Sequence, residues 1–260
     1  MTTTLNKSAR KKTSKSSKST DPNDPFVYLK SLYPPAARAF LRRDISLTQS
    51  LVERAFITLS AHPVSSFLPD SFDSHRRKWD LLRITLETTL YSSPPTISTT
   101  PEHSHTETDG LPPSLKDMLL QSPSHILDTM YVRSVQLFMP MKTPDGPSPI
   151  PLCLPAQILV ALVYSALKLE CPEVGRKFAE DWLAHRGLAP IDLHLSPSNG
   201  NTGAESPDAY ERVIDVYCLQ VLPRLGEWEY AFEFLKYEQE LPEEKKKVSC
   251  HLNVRDPVHL

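Results

Sequence analysis

The chain has little glycine: 7 residues in 260, against 25 prolines. Glycine builds the loops that cradle phosphate and dinucleotides. None of the patterns Gly-x-x-x-x-Gly-Lys, Gly-x-Gly-x-x-Gly or Gly-x-Ser-x-Gly occurs, and there is no His-Glu-x-x-His helix. Alternating β-branched segments bounded by Asn-Gly or Asp-Gly turns are missing too, which argues against hairpins and against a parallel sheet. Cysteine is sparse. Cys153, Cys171, Cys218 and Cys250 are widely spaced and never form Cys-x-x-Cys, a usage that suits a reducing compartment and suggests neither a zinc site nor a disulfide framework. Charge of one sign is not in excess, since 29 basic residues face 31 acidic ones for a net of −2. With no basic patch interleaved with aromatics, nucleic acid is not an expected partner.

Long apolar runs are also wanting. The nearest candidate, residues 150–169, is interrupted by Pro151, Pro155, Gln157, Ser165 and Lys168 and reads as a core helix, whereas about 20 apolar residues are needed to cross a bilayer. Residues 243–260 include Lys245, Lys246 and Lys247 and hold no apolar run, so the chain as written is expected to be soluble. The first twenty residues carry Lys7, Arg10, Lys11, Lys12, Lys15 and Lys18 without an acidic residue. They cannot bury enough apolar surface to fold, and they lack the apolar stretch of a signal peptide. Such a tail is solvated, or serves as a nuclear-localisation or acidic-surface contact.

Polar clusters with catalytic or metal-binding character are few. Glu102-His103-Ser104-His105 is the one place where two histidines meet, and it lies in a proline-bounded stretch without preset ligand geometry. Glu180 with Asp181, and Glu227 with Glu229, are paired carboxylates at spacings typical of a solvated helix face. No catalytic residue, cofactor, metal or small-molecule substrate is nominated, and the expectation is a protein without enzymatic activity.

What is present is helix. Residues 155–169 read PAQILVALVYSALKL, with Leu159, Leu162, Val163 and Ala166 in phase and Pro155 at the start; the segment is apolar nearly all round, so it should be buried on most sides. The next segment has Pro172 and Glu173 in its first turn, Val174, Phe178 and Trp182 stepping by four, and Gly187 as its stop. A third starts at Ser206 as N-cap with Pro207 following, carries Tyr210, Val213, Ile214, Tyr217 and Val221 on one face, and is expected to end at Pro223. After Arg224-Leu225-Gly226 comes a fourth, with Trp228, Ala231, Phe232 and Leu235 as its stripe and Pro242 closing it. Phe178, Trp182, Tyr217, Trp228 and Phe232 are read as core. The order of glycine, aromatic, small residue, aromatic and closing proline is like the second half of a tetratricopeptide repeat.

The amino-terminal part extends the pattern: AARAFLRRD, then a helix with Leu47, Leu51, Ala55 and Leu59 in phase, then one with Trp79, Leu82, Leu86 and Leu90 in phase, the latter two stopped by Pro63 and Pro94. The expected fold is all-α, an antiparallel helix-pair array of tetratricopeptide-like character with long proline-rich insertions. Its plan is a basic tail over 1–23, a helical domain over 24–242 with flexible loops at 92–113, 139–154 and 189–206, and an unstructured tail over 243–260. Seven Ser-Pro or Thr-Pro steps, at Ser93, Thr100, Ser122, Thr143, Ser148, Ser196 and Ser206, lie in or near these loops and could accept phosphate.

The segment LPAQILVALVYSALKLECPEVGRKFAEDWL, followed by AYERVIDVYCLQVLPRLGEWEYAFEFL, resembles the helical core of the peroxin twenty-six family of tail-anchored peroxisome-assembly adaptors. AARAFLRRDISLTQSLVERAFITLSAH resembles that family's first helical pair. The resemblance implies a non-enzymatic adaptor on the cytosolic face of the peroxisomal membrane. Its partner is a heterohexamer of two AAA ATPases that recycles the matrix-protein import receptor. The family's carboxyl-terminal span has no counterpart up to Leu260, so membrane association is expected only if an anchor is encoded beyond it. In the family the amino-terminal helices contact the ATPase; the matching positions are Phe40, Leu41, Arg42 and Arg43, with Arg76, Arg77 and Trp79 on a neighbouring helix. The arginines are expected to face solvent, while Phe40, Leu41 and Trp79 could equally fill the core. The alternative is a generic tetratricopeptide-like scaffold for peptide tails, which would need a concave groove with paired lysine and asparagine side chains; no such regular set is evident.

Overall fold

In a computed structural model the chain is described over residues 24–64, 70–94, 111–139, 154–188 and 207–242, and among these every regular element is helical. Helix α1 (Pro25–Leu41) starts at Asp24, whose carboxylate accepts from the Phe26 N–H at 2.9 Å, with Pro25 at the first helical position. It then runs through Pro34 and Pro35, longer than the AARAFLRRD motif alone foretells. Those prolines remove the ladder bonds to the carbonyls of Lys30 and Ser31, both exposed residues, so the lost acceptors lie on the wet side. Leu29, Leu32, Ala36 and Ala39 keep the other side buried.

Helix α2 (Ile45–Ser60) follows after three residues, capped by Asp44, whose side chain accepts from the Leu47 N–H at 3.0 Å. Its inward stripe is Thr48, Leu51, Val52, Ala55 and Leu59. Leu47, expected in that stripe, is 47 % exposed instead. It sits in the first turn, and the inward position there goes to Thr48, whose hydroxyl donates to the Asp44 carbonyl at 2.6 Å. Helix α3 (Asp73–Ser92) packs Trp79 and Leu82 against α1 and α2, forming one core cluster, while its Ile84 and Leu90 belong to a second, larger cluster. It is thus a wall shared by two cores.

The second core is organised around α6 (Ala156–Lys168), whose exposed residues reduce to a stripe of Gln157, Tyr164 and Lys168. It touches α3, α5 (Pro123–Phe138), α7 (Pro172–Leu188) and α8 (Pro207–Val216). The short α4 (Pro113–Leu119) adds Leu115 and Met118 to the same core. Gly175 of α7 marks the closeness of the α6–α7 pair, since a Cβ there would lie 3.3 Å from the Ala166 Cβ and 3.5 Å from a Val163 methyl. Tyr131 stacks on Phe178 at 4.4 Å, and the Trp182 indole N–H donates to the Leu154 carbonyl at 2.6 Å.

After α8 the ladder widens into a π turn, Tyr217–Val221, in which the Leu222 N–H reaches the Tyr217 carbonyl, and helix resumes as α9 (Leu222–Arg224). Pro223 therefore lies inside the last turn, where the α-type ladder is already interrupted and its missing N–H costs less. Gly226, at φ +75°, makes the turn into α10 (Trp228–Tyr237), whose Ala231 and Leu235 are buried. Phe234, not Phe232, packs on the core; Phe232 and Trp228 are half-buried, so the stripe is rotated from the one expected.

Two of the short helix–helix corners, α1–α2 and α6–α7, share one geometry. At α1–α2 the Asp44 N–H donates to the Ala39 carbonyl at 3.0 Å with Arg43 at φ +60°; at α6–α7 the Cys171 N–H donates to the Ala166 carbonyl at 2.9 Å with Glu170 at φ +59°. Both are left-handed helix stops made without glycine. The antiparallel helix-pair array is the architecture of the described residues. The basic tail, the Ser206 cap, Cys153, Cys250, the His103–His105 pair, the lysine run at 245–247 and the steps at Thr100, Thr143, Ser148, Ser196 and Ser206 lie outside them. Of the two remaining Ser-Pro steps, Ser93 is the C-cap of α3 and Ser122 is the N-cap of α5, accepting from the His125 N–H at 3.4 Å.

Candidate docking surface

The residues expected to meet a partner separate into an outer and an inner group. At the α1–α2 corner Leu41 is 79 % exposed, and Arg42, the C-cap, and Arg43 after it are exposed. Phe40 is half-buried against the first core and anchors the corner from inside. The backbone is closed by its own bonds, with the Arg42 N–H donating to the Arg38 and Ala39 carbonyls and the Arg43 N–H to the Phe40 carbonyl. Asp44 faces α2 as its cap. Neither Arg42 nor Arg43 has a carboxylate partner among the described residues.

The inner group does not reach the surface. Trp79 is fully buried, edge-on to Tyr33 at 5.3 Å. Arg76, expected to face solvent, is 2 % exposed. Its guanidinium donates to Asp70 at 2.7 and 3.0 Å and to the His62 carbonyl at 2.7 Å, so it ties together the chain on both sides of residues 65–69. A buried charge must be paired in this way. Burial raises the Asp70 carboxyl, but the hydrogen bond and charge of Arg76, with the Phe72 and Asp73 N–H groups, outweigh it and hold Asp70 below its ordinary value. Arg77 is half-buried and paired with Asp73 at 2.9 Å. Arg76 and Trp79 are therefore removed from the candidate surface, and Arg77 is a helix-face ion pair.

Two exposed residues missed by the sequence reading join the corner: Leu47, and Arg38 in the last turn of α1. Arg38 carries a readable signal, since it lies one turn before Arg42. Leu47 carries none, because its helical phase matches the buried stripe to within one position.

Elsewhere the polar groups fasten helices. Arg176 of α7 holds Glu180 at 2.7 Å and Glu227 at 2.5 Å, and the Tyr217 hydroxyl donates to Glu180 at 2.8 Å. Burial, and then the Glu180 carboxylate, push the Tyr217 phenol up; burial and Glu238 do the same to Tyr210. Both phenols stay protonated, and each donates to its carboxylate, Tyr210 to Glu238 and Tyr217 to Glu180. The apolar space between α6, α7 and the π turn, lined by Leu159, Val163, Ala179 and Tyr217, has no room even for a water molecule.

A scan against protein-family models, a search of curated proteins and a search of solved structures each find no match to this chain. Among the described residues no group of three or more His, Cys, Asp and Glu side chains is placed to hold a metal ion, and no helix is long and apolar enough to cross a membrane.

Proposed function

We propose that this protein is a non-enzymatic adaptor of peroxisome biogenesis, and that its α1–α2 corner docks the pair of AAA ATPases that recycles the matrix-protein import receptor. The observation that carries the docking role is Leu41, a large apolar side chain 79 % exposed between Arg38, Arg42 and Arg43 on a turn closed by its own backbone. Arginine is enriched among interface hot spots, and an exposed apolar side chain beside it offers area to remove from water. The choice of partner, and the place at the cytosolic face of the peroxisomal membrane, are supported by the likeness of both helical segments to the peroxin twenty-six family.

The role is tested by recruitment. Full-length protein on beads is incubated with the purified ATPase pair in the presence of ATP, beside a variant carrying Leu41→Ala, Arg42→Ala and Arg43→Ala. Recovery by the wild type and loss in a variant with an unchanged melting curve is the expected result. Absence of the ATPases from the wild-type beads would remove the peroxisomal assignment.

A further inference from the structure

The geometry points to an acidic, amphipathic partner segment at the α1–α2 corner, with an apolar side chain seated beside Leu41 and Leu47 and carboxylates on Arg38, Arg42 and Arg43. This rests on the docking reading for the place of contact, though not for the identity of the partner.

Charge is the first argument. Arg76, Arg77, Arg83, Arg133, Arg176 and Arg186 each hold a carboxylate within the fold. Arg42 and Arg43 hold none among the described residues, and the adjacent acid, Asp44, is committed to the Leu47 N–H. Arg38 has its Nε on the Pro34 carbonyl at 3.3 Å, which leaves its terminal nitrogens outward on an exposed residue. Arg54, Arg212 and Arg224 hold no carboxylate among the described residues either, but only at this corner do three described arginines fall within six residues of sequence, and a planar fork of donors is matched by carboxylates.

The second argument is backbone strain. Arg43 sits at φ +60°, where glycine is the unstrained choice. A cation near a helix C-terminus also favours the helix dipole, which could by itself explain arginine here. The α6–α7 corner answers that point: its geometry is the same, yet its left-handed residue is Glu170, of the opposite sign for a helix C-terminus. The turn does not dictate the charge, and the arginine at this one is exposed to solvent.

The third argument is shape. Leu41 at 79 % and Leu47 at 47 % exposure bracket Arg42 and Arg43 in sequence, so an occupant needs an apolar residue beside its acids; a purely polar acidic tail would leave both leucines wet.

The test uses the full chain and two fluorescein-labelled helical peptides of about five turns, each with a leucine stripe, one with glutamate and the other with lysine on its polar face. Fluorescence anisotropy should show the glutamate peptide binding at about 0.05 M salt and at least about tenfold more weakly at about 0.5 M, and the lysine peptide not binding. Arg42→Glu with Arg43→Glu, and separately the milder Arg42→Gln with Arg43→Gln, should abolish or sharply reduce binding, while Arg224→Glu leaves it unchanged. Equal binding of the lysine peptide, or binding retained by the glutamate double variant, overturns the inference. Recruitment of the ATPase pair by that double variant overturns it as well while leaving the peroxisomal role standing. Charge-dependent peptide binding without ATPase recruitment upholds it and removes that role.

Discussion

Arg42 and Arg76 are the same amino acid with opposite assignments, and the difference is a carboxylate. Arg76 closes a bidentate pair with Asp70 and is 2 % exposed. Removing it as Arg76→Ala should cost about 2–4 kcal/mol, somewhat less than for a wholly buried pair because Asp70 stays partly exposed. The triple variant at Leu41, Arg42 and Arg43 should stay within about 0.5 kcal/mol of wild type, and urea unfolding of the two proteins measures both. Acid sensitivity is also settled by single side chains. Asp70 lies below its ordinary 3.8, and His75, with burial as the first cause and Lys78 and Lys30 adding to it, lies below its ordinary 6.5. Both groups are depressed in the fold, so the unfolded chain binds more protons and stability falls on acidification. The His75 share is full above pH 6.5 and is lost on descent to its folded value; the Asp70 share is full above 3.8 and is lost below it. Thermal melting from pH 7 downward should therefore show a lower midpoint, with His75→Gln flattening the upper limb and Asp70→Asn the lower. A midpoint that rises on acidification would contradict the assignment. None of this was legible in the stretch His75-Arg76-Arg77-Lys78, because the partner of Arg76 is fixed by how the chain returns from residue 62 and not by helical phase.

At the scale of elements, periodicity determined the apolar stripes of α3 and α6. The expected stripes of Trp79, Leu82, Leu86 and Leu90, and of Leu159, Leu162, Val163 and Ala166, are the buried ones. Phase tells which residues share a face, but not where a neighbouring helix begins to cover it. That is why Leu47 was misplaced in α2 and Phe232 in α10. The passage of α1 through Pro34 and Pro35, and the π turn before Pro223, were hidden for another reason: proline is read as a stop, and both positions depend on what the neighbouring carbonyls can do without. The sharpest test of element packing is Gly175. Gly175→Val would force side-chain atoms into Val163 and Ala166 and should cost about 1–3 kcal/mol by overpacking. Gly175→Ala should be near neutral, since about 1 kcal/mol of helix propensity offsets a contact of 3.3 Å. Equal stability of the valine variant and wild type in urea unfolding would mean that α6 and α7 are not in such close contact.

For the molecule as a whole, α3 is the decisive element, with Trp79 in one core and Ile84 and Leu90 in the other. A shared helix couples the two, so calorimetry should show one unfolding transition; two resolved transitions would mean that the α1–α2 pair melts independently. The all-α array was readable from the chain because each helix carries its own stripe and its own proline or glycine punctuation. The proposed docking corner was readable in part, since Leu41-Arg42-Arg43 is a short polar-apolar break between two stripes, while the exposure of Leu47 beside it depended on the packing of α2. The measurement that bears most directly on the account is binding of the purified AAA ATPase pair, with ATP, to the full chain and to its Leu41→Ala, Arg42→Ala, Arg43→Ala variant by analytical ultracentrifugation. The account predicts a complex with the wild type and an affinity lower by at least about tenfold, or 1.4 kcal/mol, for a variant that melts normally. Equal binding by the two proteins, or none by either, would contradict it.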